Sequence, residues 1–125
     1  MKNILMITAL LFSGSVTADS MFCKPQNSSG YCQYNGKVAS LYVNKSKHIL
    51  MYFENPMNDS LPSSVGISGV SEYGAGLVDL GEYPEFGQLF YSTAMAAQAQ
   101  GKNVKVQMRG TAYGYMKIDR IWLAQ

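Results

Sequence analysis

After residue 38 the pattern of apolar and polar positions predicts a series of short strands interrupted by one helix. The runs Val38–Val43 and His48–Phe53 are rich in β-branched and aromatic residues, and the polar turn 44–47 between them predicts a hairpin. Residues 55–64 contain two prolines and three serines and predict a loop. The apolar run 65–80 contains four glycines, which predicts either one strongly bent strand or two short strands.

One helix is predicted after this run. Pro84 suits the first helical turn, and Gly101 suits the position that ends a helix. The side of the helix that faces the core is predicted from residues spaced i, i+3, i+4 and i+7: Phe86, Leu89, Phe90, Thr93, Ala94 and Ala97. The opposite side is unusual for a surface helix, because residues 91–100 carry no charge.

The remaining chain predicts two more strands. Asn103–Arg109 alternates cleanly between apolar and polar residues, 110–114 is a turn, and Tyr115–Leu123 forms the last strand. The whole pattern predicts a mainly β fold, a small five-stranded barrel with one α-helix between strands three and four.

The first residues have the composition of a secretion signal. Lys2 precedes the apolar run Ile4–Phe12, and small residues follow as far as Ala18. The run is shorter than the roughly 20 residues that span a bilayer, so it predicts no membrane span. We therefore interpret 1–18 as a signal peptide and expect a secreted or periplasmic protein; the alternative is a short buried first element.

Two cysteines, Cys23 and Cys32, enclose a polar loop. Because exported chains meet an oxidising compartment, we expect them to form a disulfide rather than a redox-active or metal-binding pair. The predicted organisation is a disulfide-stapled N-terminal segment at 19–35 and a barrel domain at 36–125.

The charge balance of the chain does not support a polyanionic partner. Without Lys2, nine basic residues face eight acidic ones, a net charge of +1. This balance gives no electrostatic reason to expect nucleic acid or anionic lipid. The charges are nevertheless separated, since residues 48–101 hold six acidic and no basic side chains. Such a split favours pairing within the barrel or across a subunit interface.

Catalytic chemistry finds little support in the sequence. His48 is the only histidine and is expected to face solvent at a strand edge. Asp79, Glu82 and Glu85 precede or begin the helix, where the helix dipole explains acidic residues better than catalysis does. We predict no enzyme activity, no catalytic residue, no metal site and no cofactor.

The order of elements resembles a known family. Five strands with a helix between the third and fourth is the arrangement of the OB-fold. The segment YSTAMAAQAQGKNVKVQMRG, followed by YMKIDRIWLAQ, is similar to the helix-then-strands part of the B subunits of bacterial AB5 toxins, such as subtilase cytotoxin and typhoid toxin. The resemblance is topological, covers about residues 36–125 and transfers no functional residue. It implies a ring of barrels around a helix-lined pore, a glycan ligand and a catalytic A subunit as partner.

Tyrosine is enriched, with nine in the chain, and its rings stack on sugar faces. Tyr113 and Tyr115 flank the turn between strands four and five, one of the loops through which OB-folds bind oligosaccharides. With Tyr42 and Arg109 they are the predicted ligand-binding residues.

Two uncharged surfaces predict self-association. One is the outer side of the helix, at Tyr91, Met95 and Ala99; the other is the strand 48–53, which is apolar on both faces. The leading hypothesis is an exported glycan-binding module that forms a cyclic homo-oligomer, with a pentamer as one size. The alternative is a monomeric secreted or periplasmic OB-fold protein that binds a protein partner, such as an inhibitor or envelope-stress factor.

Overall fold

The structure, a computed structural model, describes residues 19–26 and 30–124. The predicted signal peptide therefore lies outside the described residues. Seven strands and two helices are present within them. In chain order they are β1 (Ser20–Lys24), β2 (Tyr31–Gly36), β3 (Ser40–Val43), β4 (His48–Tyr52), α1 (Ser60–Ser64), β5 (Ala75–Asp79), α2 (Pro84–Gln100), β6 (Val104–Ala112) and β7 (Tyr115–Leu123).

All strands belong to one open sheet with the order β1-β2-β6-β7-β5-β4-β3. Neighbouring strands are antiparallel, except that β5 and β7 are parallel. The mainly β class is confirmed. The closed five-stranded barrel is not confirmed, because the sheet is open and has two further strands, β1 and β2, where only a disulfide-stapled segment was predicted. A second helix, α1, lies in the predicted loop 55–64.

The sheet is strongly curved. Only residues 37–39 separate β2 from β3, although β6, β7, β5 and β4 lie between these two strands in the sheet order. Five strand spacings in a flat sheet would extend about 24 Å. Four peptide steps reach about 14 Å at most. The two sides of the sheet must therefore curl toward each other, even though no strand pairing joins them among the described residues.

The N-terminal segment continues the sheet. Cys23 and Cys32 lie directly opposite each other in the β1–β2 hairpin and form the predicted disulfide. In the sequence YCQYNG of β2, Cys32 and Tyr34 alternate with Gln33 and Asn35 and are fully buried, and β1 and β6 pair with the strand on both sides. This short alternation was not recognised as a strand, because the segment was interpreted only as a disulfide-stapled N-terminal segment.

The long apolar run at 65–80 contains one short strand instead of a bent strand or a pair. Gly66 and Gly69 adopt positive φ angles of 80° and 84°, which no regular strand allows. Regular pairing begins only at Ala75 and ends at Asp79. The preceding segment is held as a loop by single backbone bonds, for example from Met57 N to the Tyr73 carbonyl at 2.8 Å.

Helix α2 has the predicted limits and ends at Gly101, which adopts the left-handed conformation. Its buried side consists of Gly87, Phe90, Ala94 and Ala97. Leu89 was expected in the core, but it is 70 % exposed. The reason is Gly87: a Cβ at this position would collide with the Leu80 side chain. The helix turns its glycine, and not Leu89, toward the sheet.

The main core lies between α2 and the concave side of the sheet. Its largest buried side chains are Phe90, Ile49, Met51, Met108, Met116 and Tyr34. Tyr34 ties the β2–β3 connection to the end of β4. Its hydroxyl donates to the Lys37 carbonyl at 2.7 Å and accepts from Glu54 N at 3.2 Å. Burial of this hydroxyl, with smaller contributions from the charges of Glu54 and Asp19, raises its pKa to about 12.

Candidate functional site

A second, smaller apolar cluster lies on the opposite side of the sheet from the main core. Leu50 of β4 pairs with Leu77 of β5, and Ala75 lies two residues before Leu77 on the same face of the sheet. Leu50 is 6 % exposed and Leu77 is 1 % exposed, although no helix covers them. Tyr115 and Ala112 of the β6–β7 hairpin pack against them. This cluster forms the floor of a cleft.

The cleft is a cavity of about 390 Å³ above this floor. We call it the tyrosine cleft, and its lining consists of Tyr42, Asn44, His48, Leu50, Tyr52, Leu77, Tyr113 and Tyr115. Four of these eight residues are tyrosines, contributed by β3, β4, the β6–β7 turn and β7. Small-molecule sites combine an apolar floor with a few polar groups in this way.

One rim of the tyrosine cleft is the two-residue turn between β6 and β7. Tyr113 and Gly114 have φ angles of 54° and 84°, as a type I′ hairpin turn requires. This conformation is uncommon for a bulky aromatic residue and costs roughly 1 kcal/mol. The Gly114 carbonyl accepts hydrogen bonds from Ser71 N at 2.9 Å and Glu72 N at 3.0 Å. The loop at 71–72 therefore holds the tip of the hairpin in place.

The other rim is the turn between β3 and β4. The Oδ1 atom of Asn44 accepts hydrogen bonds from the backbone N–H groups of Ser46 and His48, at 3.0 and 3.2 Å. This fixes the amide so that its nitrogen is the group able to donate to a ligand. The rings of His48 and Tyr113 lie 4.4 Å apart, so the two turns meet across the cleft.

No Lys, Arg, Asp or Glu occurs among the eight lining residues. The pKa of Tyr115 is raised, first by burial and then by its neighbours Tyr52 and Glu72. The phenol is therefore held neutral, and the nearby formal charge that acts on it is negative. Hydroxyl, amide and imidazole groups dominate the chemistry of the cleft.

The predicted ligand residues divide into two groups. Tyr42, Tyr113 and Tyr115 line the tyrosine cleft together. Arg109 does not: its guanidinium binds Asp119 at 3.0 Å and Gln26 at 3.0 Å, and it stacks over the Tyr31 ring at 4.8 Å. These contacts link β6 to β7 and to the segment that follows β1. The role of Arg109 in the structure is therefore to hold these elements together.

Arg109 contributes instead to a second cavity of about 350 Å³, where β5 and β7 meet the start of α2. Asp79, Glu82, Lys117 and Asp119 line this cavity too, whereas Glu85 does not. Asp79 accepts hydrogen bonds from Gly81 N at 2.8 Å and Glu82 N at 3.4 Å, so it stabilises the turn into α2. Leu77 separates this cavity from the tyrosine cleft, because it lines both.

The predicted interface residues lie along one flank of α2. Met95 is 49 % exposed and Ala99 is exposed, whereas Tyr91 is half-buried and packs against the main core. Tyr91 also lines an apolar groove of about 510 Å³ between α2 and the β3–β4 edge. The groove is lined by Val43, Ile49, Leu80, Gly87, Gln88, Tyr91 and Ser92.

Strand β4 was expected to present one apolar face to the core and the other to a partner. Ile49 and Met51 are buried in the main core. Leu50 and Tyr52, on the other face, line the tyrosine cleft. The protein's own tyrosines therefore cover much of the face that the sequence assigned to an interface.

Five lining residues escaped the sequence-based selection: Asn44, His48, Leu50, Tyr52 and Leu77. The two apolar faces of β4 were the signal for Leu50 and Tyr52. His48 was expected in solvent, but it is half-buried against Tyr113. Only the pairing of β4 with β5 brings Leu77 to the same face.

Other chemical sites find no support in the part of the chain that the structure describes. There, no three His, Cys, Asp or Glu residues are grouped so as to hold a metal ion, and both cysteines are in the disulfide. No helix within residues 19–26 and 30–124 is long and apolar enough to cross a membrane.

Comparisons with known proteins give no identification: no protein-family model, curated protein or solved structure matches the chain.

Proposed function

We propose that this chain is an exported, non-catalytic module that binds a cell-surface glycan in the tyrosine cleft. The observation that carries the proposal is the convergence of Tyr42, Tyr52, Tyr113 and Tyr115 over the floor of Leu50 and Leu77. Aromatic rings stack on the C–H faces of sugars, and their hydroxyls reach the sugar hydroxyl groups at low entropic cost. Asn44 and His48 add polar groups at the rim.

The topology supports an OB-fold for the module. In the order β3, β4, β5, α2, β6, β7, the helix follows the third strand, and the third and last strands are parallel. The short link from β2 to β3 and the curvature it imposes are consistent with a barrel whose first strand is divided into β2 and β3. The turns that meet at the tyrosine cleft then correspond to the loops through which OB-folds bind oligosaccharides.

The absence of charge in the cleft favours a glycan over a nucleic acid. Single-stranded nucleic acids need basic grooves as well as aromatic platforms. The tyrosine cleft has the aromatic platform, but its lining contains no Lys or Arg.

Binding can be tested on a glycan array with the mature protein and two tyrosine variants. Tyr42→Ala, at the edge of the sheet, should lower binding by about tenfold or more, because it removes a stacking ring. The matched control is Tyr83→Ala. Tyr83 is 54 % exposed, comparable with Tyr42 at 48 %, but it lies at the start of α2 outside the cleft. Equal binding by both variants, or no glycan binding at all, would refute the proposal.

We further propose that a second copy covers the uncharged flank of α2 and the apolar groove beside it, in a cyclic oligomer. Met95 is 49 % exposed and Val43 is 50 % exposed. Together with the apolar groove they form an apolar surface that is costly to leave in contact with water. A ring would resemble the toxin B subunits, with a pentamer as one size and a catalytic A subunit as a possible partner. An exported enzyme encoded in a neighbouring reading frame would support that role.

Size-exclusion chromatography with light scattering tests the oligomer. Met95→Glu should convert it to a folded monomer, because a charge would be buried in the interface. Gln100→Glu, at the exposed end of the same helix, is the matched control and should leave the size unchanged. A wild-type protein that is monomeric at micromolar concentration would contradict the ring.

A monomeric protein that binds a protein partner is the second candidate. It is favoured by one observation: β3 is an edge strand with Val43 exposed beside the apolar groove. Free strand edges accept extended segments of other chains. A monomer without glycan binding, which captures a defined partner through a surface sensitive to Val43→Lys, would favour this function.

A further inference from the structure

We infer that the tyrosine cleft accepts an uncharged pyranose as the terminal sugar and discriminates against a carboxylated sugar such as a sialic acid. The inference rests on the proposed function, because it specifies the class of sugar bound at the same site.

The lining of the tyrosine cleft offers no partner for a carboxylate. A carboxylate in a protein site is normally met by Arg or Lys, often through paired hydrogen bonds. The tyrosine cleft provides phenol hydroxyls, one amide, one imidazole and two leucines. Its floor is almost closed to water, with Leu77 at 1 % exposure. A carboxylate pressed against this floor would lose hydration without gaining a cationic partner, which is unfavourable.

The lysines around the tyrosine cleft lie outside its lining. Lys45 and Lys47 belong to the β3–β4 turn, but they are exposed and do not line the cleft. Lys117 lies beyond Leu77 in the second cavity, together with Asp79, Glu82 and Asp119. Lys117 therefore belongs to the second cavity, which Arg109 also lines, and not to the tyrosine cleft.

Glu72 is exposed and, like Lys45 and Lys47, does not line the cleft, but its charge acts on one lining residue, Tyr115. The backbone N–H of Glu72 binds the Gly114 carbonyl at the tip of the β6–β7 hairpin. Burial is the largest cause that raises the pKa of Tyr115, and the charge of the Glu72 carboxylate adds to it after Tyr52. A field that disfavours a phenolate disfavours a ligand carboxylate at the same place. The same field leaves an uncharged sugar unaffected.

The size of the cleft agrees with a terminal residue. Its volume of about 390 Å³ is near the lower end of the range of small-molecule sites, about 300–1,000 Å³. A cleft of this volume suits the terminal part of a glycan rather than a long oligosaccharide.

The test compares neutral and acidic glycans on one array. The neutral probes end in galactose, glucose, mannose or N-acetylglucosamine, and the acidic probes are the same chains extended by a sialic acid or a glucuronic acid. We expect binding to at least one neutral probe and a loss of about tenfold or more on acidic extension. Equal or tighter binding of the acidic probes would overturn this inference and leave glycan binding intact. Binding to no probe would instead overturn the proposed function.

Glu72→Gln tests the electrostatic part separately. We expect it to weaken the discrimination against acidic probes several-fold while neutral binding stays the same. The control is Asp59→Asn, which removes one exposed carboxylate beside α1, where it forms no side-chain cap hydrogen bond. If Glu72→Gln leaves the neutral-to-acidic ratio unchanged, or changes it no more than Asp59→Asn, Glu72 does not bias the cleft.

Discussion

The two apolar clusters of this protein lie on opposite sides of the same strands, and β4 contributes to both. On the inner side, Ile49 and Met51 are enclosed beneath α2. On the outer side, Leu50 is nearly as buried, but tyrosines cover it instead of a helix. The inner cluster is sealed by apolar atoms. The outer cluster is closed by side chains that each carry a hydroxyl, and it leaves a cavity of about 390 Å³.

The difference shows how one strand can serve both folding and binding. A sealed core gains stability from complete burial and close packing. A floor covered by tyrosines gains less, because part of each ring stays in water, as the 36 % exposure of Tyr52 illustrates. The apolar floor of the cleft is a surface that a ligand with both C–H and hydroxyl groups can cover.

The largest effect is expected from breaking the inner cluster. Phe90→Ala removes a ring that is 0 % exposed and should lower the free energy of unfolding by about 3–5 kcal/mol. Leu89→Ala, one residue earlier and 70 % exposed, should change it by about 0.5 kcal/mol or less. Urea titrations measure both variants. Similar losses for the two would mean that α2 packs with its other face toward the sheet.

An intermediate effect is expected from the tyrosine of the inner cluster at high pH. Unfolded tyrosine titrates near pH 10. The pKa of Tyr34 is raised to about 12, so the folded state holds this proton more tightly than the unfolded state. Its contribution to stability is complete below pH 10 and is lost as pH rises from 10 through 12, on the order of 2 kcal/mol in all.

Comparison of the wild type with Tyr34→Phe isolates this dependence. The variant loses two hydrogen bonds at every pH, but its stability should fall less steeply between pH 10 and pH 12. Denaturant titrations across this range measure the slopes. Parallel slopes would show that the hydroxyl of Tyr34 titrates normally.

The smallest effect is expected at the outer rim. Tyr113→Asn replaces an aromatic residue at a φ of 54° by one that tolerates this conformation. We expect the free energy of unfolding to stay unchanged or rise by up to about 1 kcal/mol, while glycan binding weakens. Tyr113→Ala is the control, since it also removes the ring but has no preference for positive φ. If Asn is no more stable than Ala here, the turn stores no strain for binding.

Several features of the fold could be predicted from the sequence because they depend on local chemistry. Pro84 and Gly101 define α2, and the alternation of β6 and the apolar run of β4 predict strands. The turn between the last two strands was predicted at 110–114 from its glycines, but it consists only of Tyr113 and Gly114, because β6 extends to Ala112. The strand β2 was missed although Cys32 and Tyr34 alternate with polar residues, because the pattern is short and the strand is held by pairing on both sides.

The sequence by itself determined the mainly β class, the limits of α2 and the Cys23–Cys32 disulfide. The three tyrosines that were predicted to bind a ligand line the cleft, and their binding role stays a prediction. Only the tertiary structure decided which face of each element is covered. Gly87 turned Leu89 out of the core, and the pairing of β4 with β5 joined Leu50 to Leu77. The physical reason is that periodicity shows that a strand or helix has an apolar face, whereas long-range pairing and close approach determine what meets that face.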